Sequence, residues 1–275
     1  MLVIAGARVA RAQVDAESSS PGIFGQRQRK PPGMLEADRD AFTPATTLVG
    51  KGWSLLEVAH AFIDNRQGPE TNSFPESLYR YGLTEWLELR VGWNWEAGAG
   101  GNTVTANESS EGLVDGEHEI EFESYMLYGM KVACTKQQGW IPDSCWIIEG
   151  FTPTAGKDTP TKPVITYTGG WKFERGWELD GAMRFAIGNE EEHGVFNRWS
   201  PSCVLRYTPN DKLQVHLEYF GTYSDGLHVE TSRTFLSPGG RYLITPNMEL
   251  GFRCGWGLSE DSANFFANTG AAWRF

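Results

Sequence analysis

No run of about 18 apolar residues occurs in the 275-residue chain, so no helix of it is long and apolar enough to cross a bilayer. Positive charge is scarce. The 24 Lys and Arg are outnumbered by 35 Asp and Glu, and the formal net charge is -11. That balance argues against a nucleic-acid partner, whose phosphates demand a basic surface. Histidine (5) and cysteine (4) are few, and their spacings suggest no metal site. Neither Gly-x-Ser-x-Gly, nor His-Glu-x-x-His, nor a phosphate-binding glycine loop is present. The sequence therefore points to no cofactor, no metal and no catalytic residues.

Aromatic residues are plentiful instead (11 Trp, 9 Tyr, 15 Phe), as is glycine at 32, while the mean hydropathy is negative at -0.39. Strands of a membrane barrel combine these properties, because alternating apolar and polar residues keep the average hydropathy low. From Trp53 onward such alternation recurs. Strands are predicted over 53–63, 74–82, 86–95, 120–134, 144–153, 163–173, 177–188, 196–207, 212–221, 234–244, 248–258 and 264–275. In the third, Leu87, Leu89, Val91, Trp93 and Trp95 share one face and Glu88, Arg90, Gly92 and Asn94 the other. Tight links follow strands 2, 6, 8 and 10, and the link after strand 4 is somewhat longer. Longer polar links follow strands 1, 3, 5, 7 and 9, including a Gly/Asn/Ser/Glu loop over 96–118. This even set of about 12 strands predicts a single-chain antiparallel transmembrane β-barrel over 51–275, with turns at one end and loops at the other. A soluble sandwich would solvate its polar face. Here that face mixes opposite charges with Gly and Ala, as a concave interior requires.

The N-terminus reads differently. Ala10-Arg11-Ala12 before Gln13 fits a small-x-small processing site, so residues 1–12 are read as the residue of a signal peptide. Residues 13–50, rich in Ser, Pro, Gln, Arg and Gly, read as a disordered or extended periplasmic segment.

The chain ends Asn268-Thr-Gly-Ala-Ala-Trp-Arg-Phe275, a period-2 strand running to the last residue. Gly270, Trp273 and Phe275 resemble the sorting signal of bacterial outer-membrane barrels. That resemblance implies recognition by the barrel-assembly machinery. Two further stretches carry a more specific match. Leu78-Tyr-Arg-Tyr-Gly-Leu-Thr-Glu-Trp-Leu-Glu-Leu-Arg90 and Gly239-Gly-Arg-Tyr-Leu-Ile-Thr-Pro-Asn247, the latter with Leu250 to Ser259 and the closing Trp273-Arg274-Phe275, resemble the phenol-degradation meta-pathway (MetA-type) family of outer-membrane proteins. The resemblance covers about 50–275. It implies a channel or transporter in the bacterial outer membrane. Its partners would be the surrounding lipid and a small, aromatic or hydrophobic permeant, and it implies no enzyme activity. The rival readings are a structural or adhesive barrel working through its extracellular loops, and a barrel hydrolase.

Parity turns Glu57, Glu76, Arg80, Glu88, Arg90, Glu121, Glu123, Lys131, Glu178, Asp180, Arg184, Arg206, His216, Glu218, Arg241, Glu249 and Arg253 towards the lumen. Unpaired charges there would be costly, so they are expected to pair across strands. The tightest expected group is Glu76, Arg80, Glu88 and Arg90. His216 has Ser200 and Ser202 on the preceding strand, which is the arrangement a hydrolase would use. Cys134 and Cys145 flank one turn and are predicted to form a disulfide, whereas Cys203 and Cys254 fall on non-neighbouring strands and are predicted free.

Overall fold

The computed structural model describes residues 33–275, apart from 67, 100–101, 103, 107–119, 157–159, 191–193 and 228–229. Twelve strands form one closed antiparallel barrel in which each pairs with its sequence neighbours and the first with the last. They are β1 (Ser54–Asp64), β2 (Thr71–Gly82), β3 (Leu87–Gly98), β4 (Glu121–Thr135), β5 (Asp143–Ala155), β6 (Lys162–Lys172), β7 (Trp177–Glu190), β8 (Gly194–Asn210), β9 (Leu213–Asp225), β10 (Ser232–Thr245), β11 (Met248–Gly257) and β12 (Phe265–Arg274). Closure is completed by the last residue. Phe275 and Ser54 exchange backbone hydrogen bonds of 2.8 and 2.9 Å. No strand edge is left unpaired, which a bilayer requires of any sheet that spans it.

Several strands are longer than the residue pattern predicts. β2 begins at Thr71, β9 runs to Asp225 and β10 starts at Ser232. The added residues are mostly polar and sit at the loop end. They read as loop because alternation of apolar residues stops where the barrel leaves lipid, although the hydrogen-bonded ladder continues, as in Thr222 opposite Arg233.

The strict alternation of β3 shows what each face is for. Leu89, Val91, Trp93 and Trp95 are exposed on the outside, while Glu88, Arg90, Asn94 and Glu96 are buried inside. Around the barrel the same outer face carries Leu56, Met126, Ile148, Leu217 and Leu250. Trp86, Trp177, Tyr242 and Trp273 border this surface at the turn end, and Phe74, Trp95, Phe122 and Trp256 at the loop end. So extensive an apolar surface between two aromatic borders is built to face lipid.

Residues 33–50 depart from expectation. They were expected in an extended periplasmic segment, but they occupy the lumen. Residues 1–12 and 13–32, for which a leader and the rest of that segment were expected, lie outside the described residues. The segment enters at the turn end, where Gly33 O accepts from Arg274 at 3.0 Å. It rises to Phe42, whose ring stacks on Phe220 with centroids 4.4 Å apart. It returns to Val49, whose N–H donates to Glu88 at 2.9 Å. Gly50 and Gly52, both at positive φ, turn the chain into β1. The turn is seated on Gly82, where a Cβ would meet the Gly50 carbonyl oxygen at 1.8 Å, so no larger residue fits. This plug has the polarity of a disordered segment because its partners are the charges of the wall. Two apolar clusters hold it: Leu35, Ala37 and Val49 against Leu55, Leu243 and Ala272, and Phe42 against Ile63, Phe220, Phe235 and Phe266.

Candidate functional site

The lumen collects the charged residues that parity turned inward. Arg80 is 1% exposed and pairs with Glu88 at 2.7 Å and with Glu57 at 3.0 Å. Its remaining donors reach the carbonyls of Glu36 and Thr47 on the plug at 3.1 and 3.2 Å. Arg90 pairs with Glu149 at 2.8 Å, with Glu88 at 3.2 Å and with Asp38 at 2.5 Å. Lys131 reaches Asp38 at 3.3 Å and Arg80 reaches it at 3.5 Å. One plug carboxylate is thus held by three cations from β2, β3 and β4. Burial opposes the charge on Asp38, yet Arg80, Lys131 and Arg90 outweigh it and keep its carboxyl well below the usual carboxylate range. The attraction is therefore in full force above that ordinary range and fades only as pH falls through the depressed value. Burial likewise opposes Glu36, but Lys172 and Arg241, with the Thr47 hydroxyl, bring it down to about 2.

Further carboxylates grip the plug backbone from the wall. Glu218 accepts from the Phe42 and Thr43 N–H groups at 2.9 and 2.6 Å and from the Thr43 hydroxyl at 2.7 Å, and pairs with Arg253 at 3.3 Å. Glu249 accepts from Ala37 N–H at 3.2 Å and pairs with Arg241 at 3.5 Å. Glu57 accepts from the N–H groups of Asp38 and Arg39 at 2.8 and 3.0 Å. Arg206 pairs with Asp180 and donates to the Thr43 carbonyl at 3.3 Å. Glu178 and Glu36 share Lys172, at 3.6 and 3.0 Å. Asn102, Val104 and Thr105, which follow β3, also reach inward. Asn102 donates to Glu76 at 3.1 Å, and the carbonyls of Val104 and Thr105 accept from Arg253 and Arg39 at 2.5 and 3.3 Å.

The charged residues that parity turns inward are buried, apart from partly exposed Glu121 and Glu178, and their grouping differs from expectation in one respect. Glu76 does not join Arg80, Glu88 and Arg90. It lies four residues from Arg80 on one strand, roughly 13 Å, and its place in the cluster is taken by Glu57 on β1. Glu76 belongs with buried Glu96 and Glu123, nearer the loops. His216 sits inside and its ring covers Gly239, where a Cβ would meet Nε2 at 2.4 Å. Ser202 is in register with Phe220, four residues from His216 along β9 and again roughly 13 Å away. Among the described residues His216 Nε2 has no hydrogen-bond partner, so it does not pair with Ser202.

The cysteines also differ from expectation. Cys145 is buried in the lumen and Cys134 is exposed on the outer face. The register pairs Cys145 with Ala133 and then slips before Thr135, so the two side chains point to opposite sides of the wall. Proximity across a turn cannot make a disulfide when parity separates the Cβ vectors. All four cysteines are free. Alkylation of the folded protein without reductant is expected to label Cys134 and spare Cys145 until denaturation. A tryptic Cys134–Cys145 disulfide peptide in mass spectrometry would contradict this.

Two features escaped the reading of the sequence. Asp38, Glu36 and Thr43 were assigned to a structureless segment. The one local signal there is the alternation of Leu35, Ala37 and Ala41 with Glu36, Asp38 and Asp40 just before Phe42. The second is an apolar strip on the inner wall: Leu78, Tyr125, Leu127, Phe151, Val164 and Ala186 cluster on β2 and β4–β7. Beside it lies a small space of about 30 Å³ between that wall, the plug at Asp38, Arg39 and Phe42, and the inward residues Thr105 and Ala106.

Comparison with known proteins places this arrangement. Three solved structures share the barrel architecture at low sequence identity. An outer membrane channel from Pseudomonas putida F1 superposes with a TM-score of 0.53 at 10% identity, over 88% of this chain and 100% of that one. The NanC porin gives 0.52 at 8%, over 79% and 98%. The KdgM porin gives 0.50 at 8%, over 80% and 99%. No curated protein matches the sequence. The family model described as the putative MetA-pathway of phenol degradation matches residues 37–275. Because that match begins inside the plug and runs through β12 to the last residue, the chain belongs to the MetA-pathway phenol-degradation family.

Proposed function

We propose that this protein is an outer-membrane channel for small, partly apolar solutes, with its turn end and both termini of the barrel at the periplasm. The observation that carries the reading is the lumen itself. It has a charged, hydrogen-bonded wall on one side, an apolar strip on the other, and space beside the plug bordered by both. A barrel of this strand number is far narrower than a 16–18-stranded porin, so its contents decide what passes. The plug packs its apolar residues against β1, β9, β10 and β12 while its ion pairs reach β2, β3, β4 and β6, and the remaining passage follows the apolar strip. Its surroundings are lipid, and the exposed Trp273 and Phe275 at the closing seam present the terminal signal to the assembly machinery. The channels and porins that share the architecture support the same reading, and the separation of Ser202 from His216 argues against the hydrolase.

The test is single-channel recording on the full chain in a planar bilayer, paired with uptake by a deletion strain. Small, discrete conductance steps are expected, with slower growth on apolar solutes at limiting concentration in the deletion strain. Silent membranes together with unchanged uptake would remove the transport function and leave the loop-mediated structural role.

A further inference from the structure

The β4–β5 connection, residues 136–142, is the longest link at the turn end, and it folds over the outer wall. On β6, Ile165, Tyr167, Gly169 and Trp171 take the outward parity, opposite to Thr168, whose hydroxyl donates to the Pro44 carbonyl of the plug at 3.2 Å. Gly169 is buried even so, because Pro142 lies over it. A Cβ there would meet Pro142 Cγ at 3.5 Å. The Trp171 indole N–H donates to the Trp140 carbonyl at 3.0 Å. The Gln137 side-chain amide donates to the Lys172 carbonyl at 3.0 Å and accepts from the Lys172 N–H at 2.8 Å. At the tip, Gln138 and Ile141 exchange backbone hydrogen bonds of 3.0 and 3.1 Å around Gly139 and Trp140. The turn is thereby fixed to the lipid-facing side of β6.

What this support presents is apolar. Trp140 is 89% exposed, so its indole packs on almost nothing in the protein, and Ile141 is 51% exposed. Residues 137–142 carry no charge, and the flanking Lys136 and Asp143 pair with each other at 3.6 Å. Exposed Trp146 and Tyr167, with ring centroids 4.9 Å apart, continue the apolar surface along the wall. We infer that the 136–142 turn is a lipid anchor, with Trp140 and Ile141 seated in the headgroup region of the bilayer leaflet at the turn end. Phospholipid is the occupant because the tip is bound to a wall that already faces lipid and has no charge to direct a protein partner. An apolar ring with one N–H donor suits that boundary. The anchor rests on the outer face being in lipid and is independent of what passes through the lumen. It sets the depth of the barrel on its β4–β6 side.

The experiment compares the full chain with Trp140→Phe, each reconstituted into phosphatidylcholine vesicles with or without bromine on the acyl chains near the headgroup. The difference in tryptophan emission between the two proteins isolates Trp140. Brominated lipid is expected to remove most of that difference emission and aqueous iodide little of it, at every protein-to-lipid ratio. Quenching by iodide and not by bromine would put the tip in water and overturn the anchor. Bromine quenching that disappears as the protein is crowded would mean that a second copy covers the tip, and would overturn it as well. Total emission serves as the control. Its quenching without quenching of the difference overturns the anchor and spares the barrel in lipid, whereas no quenching of either removes both. Unfolding by urea from vesicles supplies a second readout. Trp140→Asp is expected to lower the midpoint and Trp140→Phe to leave it near that of the unsubstituted chain. Because Trp140 packs on almost nothing in the protein, such a fall reads lost contact with the bilayer. An unchanged midpoint for Trp140→Asp would overturn the anchor.

Discussion

Substituting Asp38 with asparagine is expected to undock the plug and raise the conductance of the barrel severalfold. Asp38 is the one carboxylate held by Arg80, Arg90 and Lys131 together, all at 5% exposure or less. The substitution keeps the shape and removes the charge. Breaking a buried pair by neutralising one partner costs about 3–5 kcal/mol. Set against docking of a segment, that is a shift of more than about a hundredfold towards the undocked state. The barrel does not depend on this contact, since its strands close through their own ladder. Single-channel recording therefore reads the effect directly, with a chain starting at Gly50 as the fully open reference. Trypsin supplies a second readout, because Arg39 becomes cleavable once the plug leaves the lumen. A variant with wild-type current and a resistant Arg39 would show that the backbone grips by Glu218, Glu249 and Glu57 hold the plug without Asp38.

Arg80→Met is expected to produce the largest loss of stability of any single lumen substitution. Arg80 is among the largest fully buried side chains, and it satisfies Glu57 and Glu88 while reaching two plug carbonyls. Methionine fills much of the volume but leaves those carboxylates facing each other in a space with little water. The expected cost is about 3–5 kcal/mol. It is to be measured as a shift in the urea midpoint for unfolding from lipid vesicles and as earlier heat modification on gels. Adding Glu88→Leu is expected to recover part of the loss, because it removes one stranded charge. Unchanged unfolding of the single variant would mean that water reaches this cluster and that its charges are solvated rather than paired.

Much of this architecture was legible in the residues because a β-strand repeats every two positions. A lone strand such as 87–95 already assigns Trp93 to lipid and Arg90 to the lumen, with no knowledge of its neighbours. Repetition of that pattern, with alternating short and long links, leaves a closed barrel as the arrangement that satisfies every strand. Partners were less legible. Parity says that Glu76 and Glu57 both face inward. Glu76 is four residues from Arg80 on the same strand, too far to pair, but that Glu57 reaches Arg80 depends on the stagger between β1 and β2, and no local pattern records that. The cysteines make the same point from the other side. Cys134 and Cys145 flank one turn in sequence, yet the register pairs Cys145 with Ala133, so Cys134 beside it points through the opposite face of the wall.

The plug was the hardest part to read. Apart from the short alternation at 35–41 its residues carry no periodicity, and Glu36, Asp38, Arg39 and Asp40 have the polarity of a solvated tail. Polarity identifies segments that cannot bury themselves in water. It does not anticipate a cavity already lined with the complementary charge. The residues by themselves determined the barrel, its outer and inner faces and the charged character of its lumen, because these follow from alternation along each strand. Tertiary structure alone decided that residues 33–50 occupy that lumen, that Arg80, Arg90 and Lys131 hold Asp38 there, and that an apolar strip borders part of what remains. Those properties arise only when twelve strands close around a shared interior and bring residues far apart in the chain within hydrogen-bond reach.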